Sequence, residues 1–177
     1  MRITGRRIVL LLAVALATGP ALRNAGGANP EIEAVSGSVS GKVQKVGFRA
    51  MILKQAIEYN LAGSAKNNSD GTVQFSLQGD ENRIDQAVIA IREGTKKSSN
   101  VKVSISLTAV DPTLNRFTVM TWTSTSRHIT NAYDLVFPLR TNDKMVSKKE
   151  AKQVYHEILR TTLKDEDLPK LGDDDDD

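Results

Sequence analysis

From Ala34 the apolar residues repeat at every second position, then at helical spacing, then at every second position again, and this cycle runs twice before Thr123. Val35, Gly37, Val39, Gly41 and Val43 share one face with Ser36, Ser38, Ser40 and Lys42 opposite, the period of a half-buried strand whose glycines predict close backbone approach. Phe48, Ile52 and Ala56, with Met51 and Ile57 beside them, then predict a helix from Arg49 to Asn60, with Asn60 as its stop signal. Val73, Phe75 and Leu77 mark a strand from Thr72 to Gln78, paired as a hairpin with Ala62 to Asn67 across the turn Asn68-Ser69-Asp70-Gly71. Ile84, Val88 and Ile91 place a second helix between Asp80 and Thr95, ended by Gly94. Val101, Val103, Ile105 and Leu107 alternate once more, and the turn Asp111-Pro112-Thr113-Leu114-Asn115 leads into a further strand, Phe117 to Thr123.

That order predicts an α+β fold, a ferredoxin-like split βαββαβ sandwich with an antiparallel sheet and both helices on one face, followed by one extra strand. Beyond it lies a strand–helix extension, residues 126–165. Tyr133 to Leu139 reads as an edge strand, where Pro138 is tolerated. Ser147-Lys148-Lys149-Glu150 is a capping box, and Ala151, Val154, Tyr155, Ile158 and Leu159 form an apolar stripe, so Lys148 to Leu163 is a helix. The extension is a candidate surface for a protein partner. Residues 29–33 read as a linker, 34–125 as the core domain and 166–177 as a disordered acidic tail.

The N-terminus has its own grammar. Arg2, Arg6 and Arg7 precede the apolar run Ile8 to Ala17, which breaks at Thr18-Gly19-Pro20. Ten apolar residues are too few for a bilayer core that needs about twenty, so residues 1–28 are expected to be a secretory signal, cleaved after Ala21 or Ala28. The protein is then exported, to a bacterial periplasm or the medium, with no stable membrane association after cleavage. Four of the 24 basic residues fall in this segment, which leaves 20 Lys and Arg against 16 Asp and Glu between residues 29 and 172, ahead of five terminal aspartates. Such a weak field, with only 5% aromatic residues, argues against nucleic-acid binding.

The chemistry is constrained by what is missing. There is no cysteine, which removes disulfides, thiol catalysis and Cys-ligated metal, and only His128 and His156 are available for imidazole chemistry. No metal or other cofactor is therefore expected. What remains is an anion site. Gly41-Lys42-Val43-Gln44-Lys45-Val46 runs from a strand to a helix start, where backbone N–H groups and the helix dipole converge, and Arg49 adds a forked permanent charge.

The segment Gly41 to Arg49 (GKVQKVGFR) closely resembles the acylphosphatase signature G-x-V-Q-G-V-x-F-R. Residues 63–73 (GSAKNNSDGTV) resemble the second family block, G-W-V-x-N-x-x-x-G-x-V, in family order and spacing. The resemblance covers residues 34–123, about half the chain. It implies that Arg49 holds the substrate phosphate, that the amides of Gly41, Lys42, Val43, Gln44, Lys45 and Val46 cradle it, and that Asn67 positions the attacking water. The implied reaction is hydrolysis of a small-molecule acyl phosphate to a carboxylate and phosphate, with neither metal nor covalent intermediate. Lys45 stands where the family pattern has Gly, and Ser64 where it has Trp. Asn67-Asn68-Ser69 is also a glycosylation acceptor, and a glycan there would abolish the role implied for Asn67, so bacterial export fits better than eukaryotic secretion. A second reading keeps the fold without the chemistry, as a non-catalytic anion- or protein-binding module.

Overall fold

The computed structural model describes residues 31–172. The expected signal at 1–28 and the terminal aspartates from 173 lie outside the described residues. The elements run β1 (Ile32–Lys42), α1 (Phe48–Tyr59), β2 (Ala62–Asn67), β3 (Val73–Asp80), α2 (Glu81–Glu93), β4 (Ser99–Leu107), β5 (Arg116–Ser124), β6 (Ile129–Pro138) and α3 (Lys148–Thr162), then a 3-10 turn at Leu168–Leu171. β1 starts inside the expected linker, because Ile32 and Glu33 pair with Asp80 and Gly79 of β3.

The six strands form one sheet in the order β4-β1-β3-β2-β5-β6. The ferredoxin-like arrangement holds, and one pairing departs from the expected antiparallel sheet: β5 runs parallel to β2, with Gly63, Ser64 and Ala65 opposite Phe117, Thr118 and Val119. The segment after β4 causes this. It leaves at the end of the sheet where β2 begins and crosses along that end, so the next strand must run in the direction of β2. Gln78 holds the crossing in place: its Nε2 donates to the Asp111 carbonyl and its Oε1 accepts from the Asp111 N–H, both at 2.8 Å.

One face of the sheet carries the core. Val35, Val39, Phe75, Leu77, Phe117 and Leu135 are buried in a single cluster with the apolar sides of all three helices. Truncating Phe75 or Phe117, both fully buried, is expected to cost about 3–5 kcal/mol through lost transfer energy and a cavity. The opposite face keeps small hydroxyl residues, with Ser36, Ser76 and Ser64 in register across three strands.

The sheet continues without a break across residue 125, since β5 and β6 form a hairpin. The apolar stripe of α3 is buried within the same core cluster, in contact with α1 and β6. Asn60, the left-handed residue that ends α1, joins the extension to the core: its Nδ2 donates to the Arg140 carbonyl and to Asp143, and its Oδ1 accepts from the Arg140 N–H. The disordered tail expected from residue 166 does not begin there. Asp167 is fully buried and accepts from Tyr133, Asn131 and Lys170, which ties the 3-10 turn to β6. The local run of acidic residues gave no sign of these partners because two of them lie more than thirty positions away. Among the described residues no helix is long and apolar enough to cross a membrane.

Candidate active site

The loop between β1 and α1 is shaped from both ends. At Gly41 (φ 113°) a Cβ would meet the Asn100 carbonyl at 2.4 Å, so only glycine fits where the register of β1 against β4 shifts between Ser40 and Lys42. Val43 and Val46 are buried in the core and pin the loop between them, with the exposed Lys45 at φ 59°. Gly47, at φ 71°, opens α1 without any side-chain cap. Among the described residues no backbone N–H from Val43 to Gly47 donates to another group, and the first turn of α1 adds its own free amides. The loop therefore presents donors beside the positive end of a helix.

Gln44 couples this loop to the β2–β3 turn. Its Nε2 donates to the carbonyls of Asn68 (2.8 Å) and Thr72 (2.9 Å). The turn is itself closed by Asp70, whose carboxylate accepts from the Thr72 hydroxyl and N–H and is held below the usual carboxylate range by them. Asn67 ends β2 immediately before that turn, and its Oδ1 is buried with no hydrogen-bond partner. An orphaned acceptor of this kind is costly unless a bound group donates to it.

Arg49 lies in the first turn of α1, buried. Its Nη1 donates to the carbonyls of Met120 (2.6 Å) and Thr121 (3.1 Å). No carboxylate pairs with it among the described residues, and Nε and Nη2 have no protein acceptor there. Burial lowers its pKa, but an arginine stays protonated under such a shift. The two carbonyls sit at an irregularity in β5, where the register shifts between Val119 and Trp122 and Thr121 takes φ 48°.

Beyond Ala65 and Val119 the pairing of β2 with β5 ends, and a cavity of about 140 Å³ opens beside it. It brings together Arg49, Asn67 and the loop residues Val43, Gln44 and Lys45 from the sequence reading. Gly41, Lys42 and Val46 do not line it, although they shape the loop that does. Its far wall is Trp122 to Ser126, which sequence reasoning missed, and among the described residues no carboxylate or imidazole lines it. Ser64 lies away from the cavity, with its hydroxyl 3.1 Å from that of Ser76.

The acylphosphatase of Chlorobaculum tepidum is 39% identical over 83 residues, which cover 90% of that protein and 47% of this chain. The chain belongs to the acylphosphatase family. The family model described as Acylphosphatase matches residues 35–119. An acylphosphatase of Geobacillus thermodenitrificans is 35% identical over 82 residues, 87% of its length and 46% of this chain. The crystal structure of acylphosphatase from Bacillus subtilis aligns over 51% of this chain and 99% of its own, with 31% identity and a TM-score of 0.47. The family match ends at Val119, so the cavity wall from Trp122 to Ser126 and the carbonyls that hold Arg49 lie outside the matched residues. A slip in the apolar alternation, from Phe117 and Val119 to Trp122, is a local signal of the bend that carries them.

Proposed function

We propose that the protein hydrolyses acyl phosphates, with Arg49 and the amides of the Val43–Gly47 loop holding the phosphate and Asn67 orienting the attacking water. The observation that carries this reading is a buried guanidinium, with no carboxylate partner among the described residues, that lines the same cavity as a buried amide oxygen that no described residue donates to. The first lacks an anion, and the second lacks a donor. A phosphate group and a water molecule supply one each.

The chemistry asks for little more. Water, donating one O–H to Asn67 Oδ1, attacks phosphorus; the bond between phosphorus and the acyl oxygen breaks, and the carboxylate leaves with that electron pair. The dianionic substrate and water become a carboxylate and dihydrogen phosphate, both protons of the attacking water ending on phosphate. A carboxylate is a good leaving group, so positioning and charge stabilisation are the main contributions required of the protein. The acyl end of the substrate then lies against the Trp122–Ser126 wall.

The test is phosphate release from acetyl or benzoyl phosphate in water enriched in oxygen-18. The label is expected in phosphate and not in the carboxylate. A protein that binds phosphate without turnover would instead be a binding module on the same fold, and label in the carboxylate would place the attack at the acyl carbon.

A further inference from the structure

We propose that Asp134, on the strand that follows the family-matched residues, is a positioning residue that sets the direction of the Arg49 guanidinium through the backbone of Met120 and Thr121. The inference rests on the reading of Arg49 as the phosphate ligand. Val119 lies opposite Leu135 and Trp122 opposite Tyr133, so Met120 and Thr121 together face the single residue Asp134. This is a bulge, and the extra residue has no partner in the ladder. Asp134 supplies one: its Oδ1 accepts from the Thr121 N–H at 2.8 Å.

The bond matters because of what Thr121 has to do. A β-branched residue at φ 48° is a backbone outlier that persists only where the surroundings hold it. With its N–H held by Asp134, the peptide units on either side turn their carbonyls onto one nitrogen, Arg49 Nη1, at 2.6 and 3.1 Å. Nε and Nη2 are then left for a ligand. Without the carboxylate, Thr121 relaxes toward the extended region, the carbonyls turn away, and Arg49 loses the groups that aim it. The family model ends at Val119, so this device belongs to the part of the chain beyond the match.

Three variants test it: Asp134→Ala, Asp134→Asn, and Asp134→Ala combined with Thr121→Gly. Two quantities are read, the inhibition constant of inorganic phosphate and the proton exchange of the Arg49 Nε–H resonance. Asp134→Ala is expected to raise the phosphate constant about tenfold, the scale of one lost charge-assisted bond, and to speed exchange at Arg49. Asp134→Asn keeps the acceptor and is expected to stay within about twofold of wild type. Thr121→Gly in the alanine background is expected to recover most of the loss, since glycine takes positive φ unaided. A role confined to fold stability predicts a lower melting temperature in Asp134→Ala, with no recovery of the phosphate constant on adding Thr121→Gly; that result overturns the proposal. So does wild-type exchange at Arg49 in the folded Asp134→Ala protein. If wild type neither binds phosphate nor hydrolyses acyl phosphates, the functional reading fails, and the Arg49 resonance alone still decides the role of Asp134.

Discussion

Arg49 and Asp167 are both buried charges, 9% and 0% exposed, and their surroundings are opposite in kind. Asp167 accepts from three side chains, Tyr133 and Asn131 on β6 and Lys170 on the 3-10 turn. Those bonds, with Lys170 first and then Tyr133 and Asn131, hold its carboxyl down at about 2. Arg49 has only two neutral carbonyls, and no opposite charge answers it among the described residues. Taking an ion out of water costs several kcal/mol, and only partners recover it. The cost at Asp167 is offset within the fold at all times, whereas on the proposed function that at Arg49 is offset in full only when an anion arrives. The difference is that expected between a buried charge that serves stability and one that serves binding.

The widest separation between the two comes from Arg49→Ala. Hydrolysis of a small acyl phosphate is expected to fall about a thousandfold, while the urea midpoint changes little because no opposite charge is left orphaned. A variant that unfolds as it loses activity would erase the contrast. Asn67→Ala is next, with turnover expected to fall about a hundredfold and phosphate inhibition within about twofold of wild type if, as proposed, the amide handles water and not phosphate. Phosphate affinity falling in step with turnover would move Asn67 into the anion site. Neither side chain titrates near neutrality, so the catalysed rate is expected to be flat between about pH 5.5 and 8.

Asp167 should give the converse result. Because its folded value is depressed from 3.8 to about 2, it contributes stability that is present above the ordinary value and is lost as pH falls through the lower one. Denaturation followed between about pH 4 and 2 is expected to show that loss in wild type and not in Asp167→Asn. The variant should melt lower at neutral pH and keep its kinetic constants at 25 °C. A fall in turnover matching that of Arg49→Ala would show that the C-terminal turn and the cavity are one unit. The smallest effect belongs to Lys45, whose φ of 59° costs a side chain what glycine does not. Lys45→Gly is expected to stabilise the protein by about 1 kcal/mol and to tighten phosphate inhibition slightly. A weaker phosphate constant would mean that the Lys45 ammonium takes part in anion binding.

The sequence by itself determined the order of the elements, the face each one buries, the loop with its glycines and the resemblance that names Arg49 and Asn67. Each of these is local: a side chain's period reports which side meets solvent, and a glycine or a turn reports the backbone within a few residues. Only the tertiary structure decided that β5 runs parallel to β2, that Gln44 ties the loop to the β2–β3 turn, that Asp167 is buried, and that Thr121 strains to hold Arg49. Those depend on registers between distant segments. The Arg49 contacts alone join residues 71 and 72 positions apart, and a strand's polar backbone carries no residue-type signal that such a partner is waiting. A one-residue bulge opposite Asp134 shifts the alternation by one place, with Phe117 and Val119 buried before it and Trp122 and Ser124 after it. The pattern that located β5 therefore marks where the strand bends, but not the buried arginine that the bend meets.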